Sequence, residues 1–291
     1  MAHSFSATPT GALSQSNPTR RRVLVTGAAG NIGSFFARHS HQKYDLRLMT
    51  QQIDEKSRAI AGFGEIVTGD LSDLEKLKAC CAGMDTVLHL AGNPSPNQNW
   101  ESVLENNIIG TYNIMVAARF AGCRRVVYAS SIHAVSGYPA DVQVKTSEPV
   151  NPGDLYGVSK CFGEALGRYM AEQEGLSVLA LRIGAFQPPS TAQKPSLKFM
   201  HAWVSQRDLN QLIEKSIDVE GLKFAIVHGL SDNHFKRLDI SDARELLGYA
   251  PEDDFARENP LLQNLNLGEL ETSSVRDAGA KSGLRDELKG N

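Results

Sequence analysis

The stretch Val25-Thr26-Gly27-Ala28-Ala29-Gly30-Asn31-Ile32-Gly33 decides the fold class of this chain. It places three glycines at G-x-x-G-x-x-G spacing between a β-forming run and an amphipathic helical pattern. A helix that begins after small residues leaves its first N–H groups open to a phosphate. A flexible glycine-rich turn is the alternative interpretation. Because the glycines occupy the first strand-to-helix turn, we predict a dinucleotide site that includes Gly27, Gly30, Asn31, Ile32 and Gly33.

Short β-rich runs alternate with helical patterns up to about residue 182. The β-rich runs are 23–26, 46–49, 65–68, 86–90, 125–128 and 178–181. The helical patterns are 32–41, 74–81, 101–121 and 155–174. Strands that alternate with helices form parallel sheets covered on both faces. The sequence therefore predicts an α/β fold, a doubly wound parallel sheet of the Rossmann type.

The same patterns predict four segments. Residues 22–184 form the dinucleotide-binding core, and residues 185–260 pack on it as a small C-terminal substrate-binding cap with a looser pattern of helices near 206–216 and 241–247 and a strand at 224–228. Residues 1–21 are rich in Ser, Thr, Pro and Ala and lack the apolar run of a signal peptide, and residues 261–291 turn polar. We expect both of these ends to be loose tails, the first of them disordered.

Composition excludes several classes of partner. The 291 residues include 30 Lys plus Arg against 33 Asp plus Glu, a formal net charge of -3, so no global positive field attracts nucleic acid or anionic lipid. The four cysteines, Cys80, Cys81, Cys123 and Cys161, have neither metal-ligand spacing nor the density of a secreted disulfide-rich domain. We therefore expect a cytoplasmic protein with reduced thiols, no metal, and no nucleic-acid or membrane partner.

Further dinucleotide contacts are predicted after other strands. Asp70 and Leu71 follow the third run, where they could contact the adenine. Leu90, Ala91 and Gly92 end the fourth run, and the small residues there let the chain pass along the cofactor.

The end of the second run bears on the choice between NAD and NADP. An acidic residue usually stands there in NAD-specific folds, because it holds the ribose hydroxyls and repels the extra phosphate of NADP. This chain has Thr50-Gln51-Gln52 instead, with Lys56 and Arg58 a short way on. The sequence leaves NAD, NADP or dual use open, with Thr50 as the candidate ribose contact.

Tyr156 and Lys160 form the candidate catalytic pair. Four residues apart in a helical pattern, they share one helix face. A free tyrosine titrates at about 10, and a fixed positive charge nearby favours the phenolate. The pair predicts proton transfer at a substrate hydroxyl, although many Tyr and Lys residues at this spacing are only solvated neighbours.

Six motifs follow one another in a set order along residues 22–255. They are G-A-A-G-N-I-G at 27–33, Asp-Leu at 70–71, H-L-A-G at 89–92, N-N-I-I-G at 106–110, A-S-S at 129–131 and Y-G-V-S-K at 156–160. Through them the chain resembles the extended short-chain dehydrogenase/reductases, the NAD-dependent epimerase/dehydratase family. The resemblance implies a catalytic tetrad of Asn107, Ser131, Tyr156 and Lys160.

The resemblance also implies a role for each member of the tetrad. Tyr156 takes the proton of a substrate hydroxyl as hydride leaves for the nicotinamide, or returns it in the reverse direction. Lys160 lowers the pKa of Tyr156 and holds the nicotinamide ribose. Ser131 binds the reacting oxygen, with Ser130 as a less well spaced rival, and Asn107 holds a water or backbone group behind Lys160. Asn107, Tyr156 and Lys160 also count as cofactor contacts.

Within the family, the chain is similar to uronate dehydrogenases and archaeal sugar-phosphate dehydrogenases, through segments 107–113, 129–133, 155–164, 181–184 and 229–233. The implied substrate contacts are Ser95, Ser131, Ile132, His133, Ala185 and Lys198. Three of them depart from the uronate pattern: Ile132 replaces an asparagine, Ala185 a serine and Lys198 the arginine that clamps a carboxylate. His133 either binds a sugar hydroxyl or packs in the pocket wall.

We therefore expect an NAD(P)-dependent oxidoreductase that takes hydride from a sugar or sugar-acid hydroxyl, the anomeric one, giving a lactone. A nucleotide-sugar epimerase or a carbonyl reductase on the same scaffold is the alternative. A non-catalytic NAD(P)-binding sensor is disfavoured because Tyr156 and Lys160 are both retained. Family members often dimerise through helices that correspond to 101–121 and 155–174. Here Ile108, Tyr112, Met115 and Ala118 give the first of them an apolar stripe, although a face buried within the monomer has the same pattern.

Overall fold

The structure is a computed structural model that describes residues 20–97 and 99–263. Most of the two predicted tails, residues 1–19 and 264–291, lies outside the described residues. Arg20 and Arg21, the last residues of the predicted N-terminal tail, contact the core: Arg20 pairs with Asp45 at 3.3 Å and Arg21 with Asp85 at 3.3 Å.

Nine strands lie within the described ranges. They are β1 (Arg22–Thr26), β2 (Asp45–Thr50), β3 (Glu65–Thr68), β4 (Thr86–His89), β5 (Arg125–Ser131), β6 (Ser177–Ile183), β7 (Ala185–Phe186), β8 (Trp203–Val204) and β9 (Phe224–Gly229). Seven of them form one sheet in the order β3-β2-β1-β4-β5-β6-β9, and every pairing in it is parallel. The short strands β7 and β8 pair separately.

Eleven α-helical segments accompany these strands in the same ranges. They are α1 (Asn31–Ser40), α2 (Glu55–Arg58), α3 (Leu74–Cys81), α4 (Trp100–Ser102), α5 (Gly110–Phe120), α6 (Leu155–Glu172), α7 (Pro189–Ala192), α8 (Gln206–Asp218), α9 (Ser241–Leu247), α10 (Phe255–Glu258) and α11 (Pro260–Gln263). A π-helical segment, Val103–Ile109, joins α4 to α5, so the long helix predicted over 101–121 is interrupted. Two 3-10 turns cover Ala61–Phe63 and Ile132–Val135.

Helices cover both faces of the central sheet, as the uninterrupted apolar runs predict. Successive residues of a strand point to opposite faces. In β1, Val23 and Val25 pack with Phe36 of α1, whereas Leu24 packs with Leu77 of α3. All five side chains are fully buried, and each contributes about 1.5–3 kcal/mol through the hydrophobic effect. This confirms the doubly wound α/β fold.

Two elements of the predicted cap, residues 185–260, belong to the main layers instead. Strand β9 pairs with β6 from Val178↔Phe224 to Ile183↔Gly229 and so satisfies the backbone groups of what is otherwise an edge strand. Helix α8 buries Leu209 and Leu212 on the sheet face that α1 also covers. The segments 185–205 and 230–240 start at the carboxyl ends of β6 and β9, where a substrate cap is expected.

None of the helices in residues 20–97 and 99–263 has both the length and the apolarity needed to cross a membrane.

Two buried histidines, His89 and His228, predict a loss of stability in acid. Burial lowers the pKa of His89 to about 3 and that of His228 to about 4, whereas an unfolded histidine titrates at about 6.5. Between these values the unfolded chain binds more protons than the folded one, so the free energy of unfolding falls as the pH drops below 6.5. We expect a loss of about 2 kcal/mol per histidine between pH 7 and pH 5, measured by urea unfolding.

The control for this prediction is His39→Gln, at an exposed position. His89→Gln should flatten the acid slope, while His39→Gln should leave it as in the parent chain. An equal slope in the parent chain and in His89→Gln would contradict the assignment of that slope to His89.

Candidate active site

The glycine turn after β1 packs directly on the loop after β4. Gly27 has φ +64, and a Cβ added there would meet the Ala91 nitrogen at 2.9 Å. The Thr26 hydroxyl accepts hydrogen bonds from the N–H groups of Leu90 and Ala91, both at 3.2 Å. These bonds hold together the ends of β1 and β4, where the strand order of the sheet reverses and ligands of such folds bind.

Helix α1 presents an uncapped N-terminus at this turn. Asp73, Asp154 and Ser205 cap the N-termini of α3, α6 and α8 with their side chains, but Gly30 at the start of α1 has no side chain to do so. The first turn of α1 also holds no acidic residue. Open N–H groups and the positive end of the helix dipole suit a phosphate, so these residues fit the diphosphate of a dinucleotide.

Gly33 is required by packing within the turn. A Cβ on Gly33 would meet the Gly27 carbonyl oxygen at 2.6 Å and the Ala28 Cα at 2.8 Å. Ala28 itself is fully buried. The third glycine of the motif therefore lets the helix approach the turn closely.

The ends of β2 and β3 place Gln51 beside Asp70. The Thr50 side chain is buried and its hydroxyl donates to the Gln52 carbonyl at 3.0 Å. The exposed Gln51 amide donates to the Asp70 carboxylate at 3.2 Å. Hydrogen bonds from the backbone and hydroxyl of Ser72, with that from Gln51, lower the pKa of Asp70. Sequence reasoning missed Gln51, whose only signal was its position directly after a strand.

Tyr156 and Lys160 lie in the first two turns of α6. Asp154 caps this helix by accepting from the Gly157 N–H at 2.7 Å. Both residues are buried: Tyr156 is 8% exposed and Lys160 is 6% exposed. The Lys160 Nζ donates to the Ala129 carbonyl at 2.8 Å and lies 5.3 Å from the centre of the Tyr156 ring. The expected pairing on one helix face is therefore present.

The pKa of Tyr156 shifts in the opposite direction to the expected one. Burial raises it, the neighbouring Ser131 hydroxyl opposes the shift, and the charge of Asp154 adds to it. Burial also lowers the pKa of Lys160 to about 8, against the influence of Glu164. In the chain by itself desolvation is the largest influence on the Tyr156 pKa, and the expected lowering of this pKa by Lys160 stays a prediction.

The two serines at the end of β5 have different surroundings. The buried Ser130 hydroxyl donates to the Glu164 carboxylate at 2.6 Å, and Arg182 donates to both oxygens of that carboxylate at 2.9 Å. Ser131 accepts from the His133 N–H at 3.2 Å and lies next to Tyr156. Ser130 is thus engaged in a buried network, whereas Ser131 faces the candidate reaction centre.

Asn107 lies in the π-helical segment and is 1% exposed. Its Oδ1 accepts from the Asn93 N–H at 2.7 Å, and its Nδ2 donates to the Asn93 carbonyl at 3.0 Å and to the Ser159 hydroxyl at 3.2 Å. Asn107 therefore joins the loop after β4 to helix α6. Extra residues in a helical turn of this kind often accompany functional positions.

His133 lies against Tyr156. The two rings meet edge to face, 5.4 Å between centres. The His133 Nδ1 is 2.6 Å from the Asp154 carboxylate, which fixes the ring and leaves Nε2 for another partner. Asp154 was missed as a site residue. Its position directly before the helix was a capping signal only.

The remaining predicted substrate residues have mixed surroundings. The Ser95 hydroxyl accepts from the Asn97 N–H at 3.3 Å, and Ile132 packs against a small apolar cluster that includes Leu230. Ala185 lies in β7, half-buried, with its N–H donating to the Ala202 carbonyl at 2.7 Å. Lys198 is exposed, and its described contacts are local, with Ser196 and the Phe199 ring. None of these contacts connects Lys198 with Tyr156.

Comparison with known proteins gives one matching family model and several similar dehydrogenases. A model of the NAD dependent epimerase/dehydratase family matches residues 23–221. The NAD-dependent glucose-6-phosphate dehydrogenase of Haloferax volcanii is 36% identical over 251 residues, which cover 80% of this chain and 94% of that protein. The uronate dehydrogenase of Pseudomonas putida is 33% identical over 232 residues, covering 80% and 84%.

Comparison with solved structures also gives uronate dehydrogenases. The crystal structure of uronate dehydrogenase from Agrobacterium tumefaciens is 34% identical, with a TM-score of 0.75 over 84% of this chain and 89% of that one. By contrast, a UDP-glucose 4-epimerase of Streptomyces lividans matches 55% of this chain and 50% of its own length. Since the family model matches residues 23–221 and a relative 36% identical covers 80% of this chain, the chain belongs to the NAD dependent epimerase/dehydratase family.

Proposed function

We propose that this protein is an NAD-dependent dehydrogenase that oxidises a hydroxyl of a sugar or sugar acid, the anomeric one, to a lactone. The observation that carries the proposal is the buried Tyr156–Lys160 pair beside Ser131, at the carboxyl edge of a sheet whose first helix has an open N-terminus. Relatives that match over most of their length bear the names of sugar and sugar-acid dehydrogenases.

Tyr156 takes the substrate proton. Burial raises its pKa, so the phenol holds its proton at rest and can give that proton to a carbonyl oxygen. In the oxidative direction it takes the substrate proton as the phenolate, the form that a nearby ammonium favours. Lys160 supplies that ammonium, and Ser131 orients the reacting oxygen. The hydride acceptor is the nicotinamide, which the glycine turn and α1 would hold by its diphosphate.

Lys160 is anchored for this role from two sides. Its Nζ donates to the Ala129 carbonyl, so part of its hydrogen-bonding capacity is fixed and two further donors remain for the tyrosine side and a ribose hydroxyl. Asn107 holds the loop at Asn93 and the helix at Ser159, which keeps α6 and the cofactor edge in register. Loss of Asn107 would therefore act through the placement of Lys160.

Substrate recognition rests on fewer groups than in the uronate pattern. His133 is held by Asp154 with Nε2 left for a sugar hydroxyl, while Ile132 and Ala185 offer no polar group. Lys198 lies on an exposed loop and is a point charge, so it does not reproduce the planar fork of an arginine. We infer a substrate with less need for a carboxylate clamp than a uronate.

The choice of dinucleotide follows from the end of β2. Thr50 and Gln51 bear no charge that repels the extra phosphate of NADP, so we infer NADP as a second, weaker cofactor beside NAD. The exposed Gln51 amide, bonded to Asp70, is the group there that remains open to the ribose hydroxyls.

The test is reduction of NAD and NADP with a panel of aldoses, uronates and sugar phosphates. We expect net formation of reduced cofactor with at least one sugar and a higher kcat/KM for NAD. If both dinucleotides bind but no sugar reduces either, the proposal fails. Interconversion of nucleotide sugars without net reduced cofactor would instead favour the epimerase alternative.

We also propose a homodimer. Each copy contributes its π-segment, α5 and α6 to the interface. Ile109, Tyr112, Leu155, Val158 and Tyr169 are each 42–51% exposed on these helices, which is unusual for apolar side chains of this size. The predicted stripe is partly wrong, because Met115 and Ala118 are fully buried within the monomer.

The dimer gives a direct prediction. Tyr112→Glu combined with Val158→Glu places charges in the proposed interface, and we expect the molecular mass measured by light scattering to fall by half. The matched control is Phe120→Glu, since Phe120 is 72% exposed at the far end of α5. A monomeric parent chain would contradict the proposal.

The cytoplasmic location stays a prediction, supported by four free cysteines.

A further inference from the structure

A single carboxylate, that of Asp154, holds both helix α6 and the His133 ring. Its Oδ1 accepts from the Gly157 N–H at 2.7 Å and so caps the helix that carries Tyr156. Its Oδ2 lies 2.6 Å from the His133 Nδ1. One oxygen therefore fixes the start of α6, while the other fixes an imidazole beside the candidate reaction centre.

The turn that carries His133 packs tightly on the first turn of α6. The His133 N–H donates to the Ser131 hydroxyl at 3.2 Å, and the His133 ring meets the Tyr156 ring edge to face, 5.4 Å between centres. A Cβ added at Gly157 would meet the His133 carbonyl oxygen at 2.3 Å. These contacts hold His133 beside Ser131 and Tyr156 without any help from the Asp154 side chain.

The contact with Asp154 selects one tautomer of His133. A neutral imidazole carries its proton on one nitrogen, which donates, and the other nitrogen accepts. An ionised carboxylate only accepts hydrogen bonds, so Nδ1 is the donor at the 2.6 Å contact. Nε2 is then the acceptor, and no donor within residues 20–97 and 99–263 uses it. The His133 side chain keeps 32% exposure, so the ring is not sealed inside the core.

We propose that Asp154 is a positioning residue that sets which substrate group His133 recognises. Asp154 holds the Nδ1–H tautomer, so Nε2 accepts a hydrogen bond from a sugar hydroxyl and does not donate to a carbonyl or carboxylate oxygen in its place. A site built to bind a hydroxyl discriminates strongly against an analogue that lacks it. The inference rests on the proposed function for its substrate and adds the direction of this hydrogen bond.

The variant Asp154→Asn reverses that direction and keeps the helix cap, because asparagine caps helices as well as aspartate does. The Gly157 N–H needs an acceptor, so the amide oxygen takes the place of Oδ1 and the amide nitrogen that of Oδ2. The amide nitrogen then donates to Nδ1, and the proton of His133 moves to Nε2. The matched control is Asp73→Asn. Asp73 caps α3 through the Lys76 N–H at 2.9 Å and, among the described residues, has no histidine partner.

The tautomer is measured by ¹⁵N NMR of the imidazole nitrogens without added ligand, at about pH 9, where histidine side chains are ordinarily neutral. The variant His133→Gln identifies the signals of His133 among the eight histidines of the chain. We expect the Nδ1–H tautomer in the parent chain and in Asp73→Asn, and the Nε2–H tautomer in Asp154→Asn. The same tautomer in the parent chain and in Asp154→Asn would overturn the proposal. This measurement needs no substrate, so it reports on Asp154 even if the chain oxidises no sugar.

Steady-state kinetics with the best sugar of the panel test recognition. We expect Asp154→Asn to raise KM about tenfold, with kcat and the Kd for NAD within about threefold of the parent values. In the His133→Gln background the same substitution should change KM by less than about twofold, because its effect passes through His133. An unchanged KM in Asp154→Asn alone contradicts the proposal. So does an equal rise in both backgrounds, which a disturbed helix or a lost charge near Tyr156 would give.

Discussion

Replacing Tyr156 with Phe is expected to lower kcat by about 100- to 10,000-fold while the Kd for NAD stays within about threefold. The substitution removes the hydroxyl that moves the substrate proton and keeps the ring that packs against His133 at 5.4 Å. Proton transfer by a positioned side chain contributes a factor of this size. The measurement is steady-state kinetics with the best sugar of the panel, together with a titration of NAD into the variant.

The control is Tyr169→Phe, on the same helix. Tyr169 is 51% exposed, and its hydroxyl donates to Glu174 at the surface. That variant should keep the parent kcat. If Tyr156→Phe also keeps it, the proton comes from another group, and the assignment of Tyr156 is wrong.

Replacing Arg182 with Met is expected to lower the free energy of unfolding by about 3–5 kcal/mol. Arg182 and Glu164 form an ion pair with side-chain exposures of 1% and 3%, closed by two hydrogen bonds of 2.9 Å. Removing the guanidinium leaves a carboxylate buried with only the Ser130 hydroxyl as a strong partner. An uncompensated buried charge is costly, because the interior does not replace its hydration.

The double variant Arg182→Met/Glu164→Leu separates the charge from the packing. Removing both charges should recover most of the loss seen in urea unfolding, since apolar replacements of buried pairs are often neutral. The surface pair Arg168–Glu172 is the matched control, and Arg168→Met should change the free energy of unfolding by no more than about 0.5 kcal/mol. Equal losses from Arg182→Met and Arg168→Met would refute this account of the buried pair.

Local patterns were enough to predict most of the fold. The first six β-rich runs became strands of the central sheet with small shifts at their ends, and the helix predicted over 74–81 has those bounds in the structure. The glycine spacing likewise placed the turn at residues 27–30, because a tight turn followed by an open helix terminus depends on neighbouring residues alone.

Features that depend on distant parts of the chain were not predictable in the same way. The run 224–229 has the pattern of a buried strand, but only its pairing with β6 makes it part of the main sheet. Apolar spacing placed Met115 and Ala118 on a stripe without revealing that this face lies against the sheet. The direction of the Tyr156 shift depends on how deeply the ring is buried, and spacing to Lys160 carries no such information.

The same distinction between local motifs and distant contacts applies to the candidate site. Tyr156, Lys160, Ser131 and Asn107 were named from motifs, and the structure brings them to adjoining ends of β5, the π-segment and α6. Asp154 and Gln51 were missed, since their roles come from contacts with His133 and Asp70 across the fold. Lys198 was named by alignment across an irregular segment, where sequence position fixes a side chain poorly.

The most direct test of the central claim is the fate of deuterium placed on the anomeric carbon of the sugar that the enzyme oxidises best. If that carbon gives its hydride to NAD while Tyr156 takes the hydroxyl proton, the reduced nicotinamide isolated after turnover carries the deuterium and the sugar product is a lactone. Reduced nicotinamide without deuterium, or an epimerised sugar with no net reduced cofactor, would contradict the account.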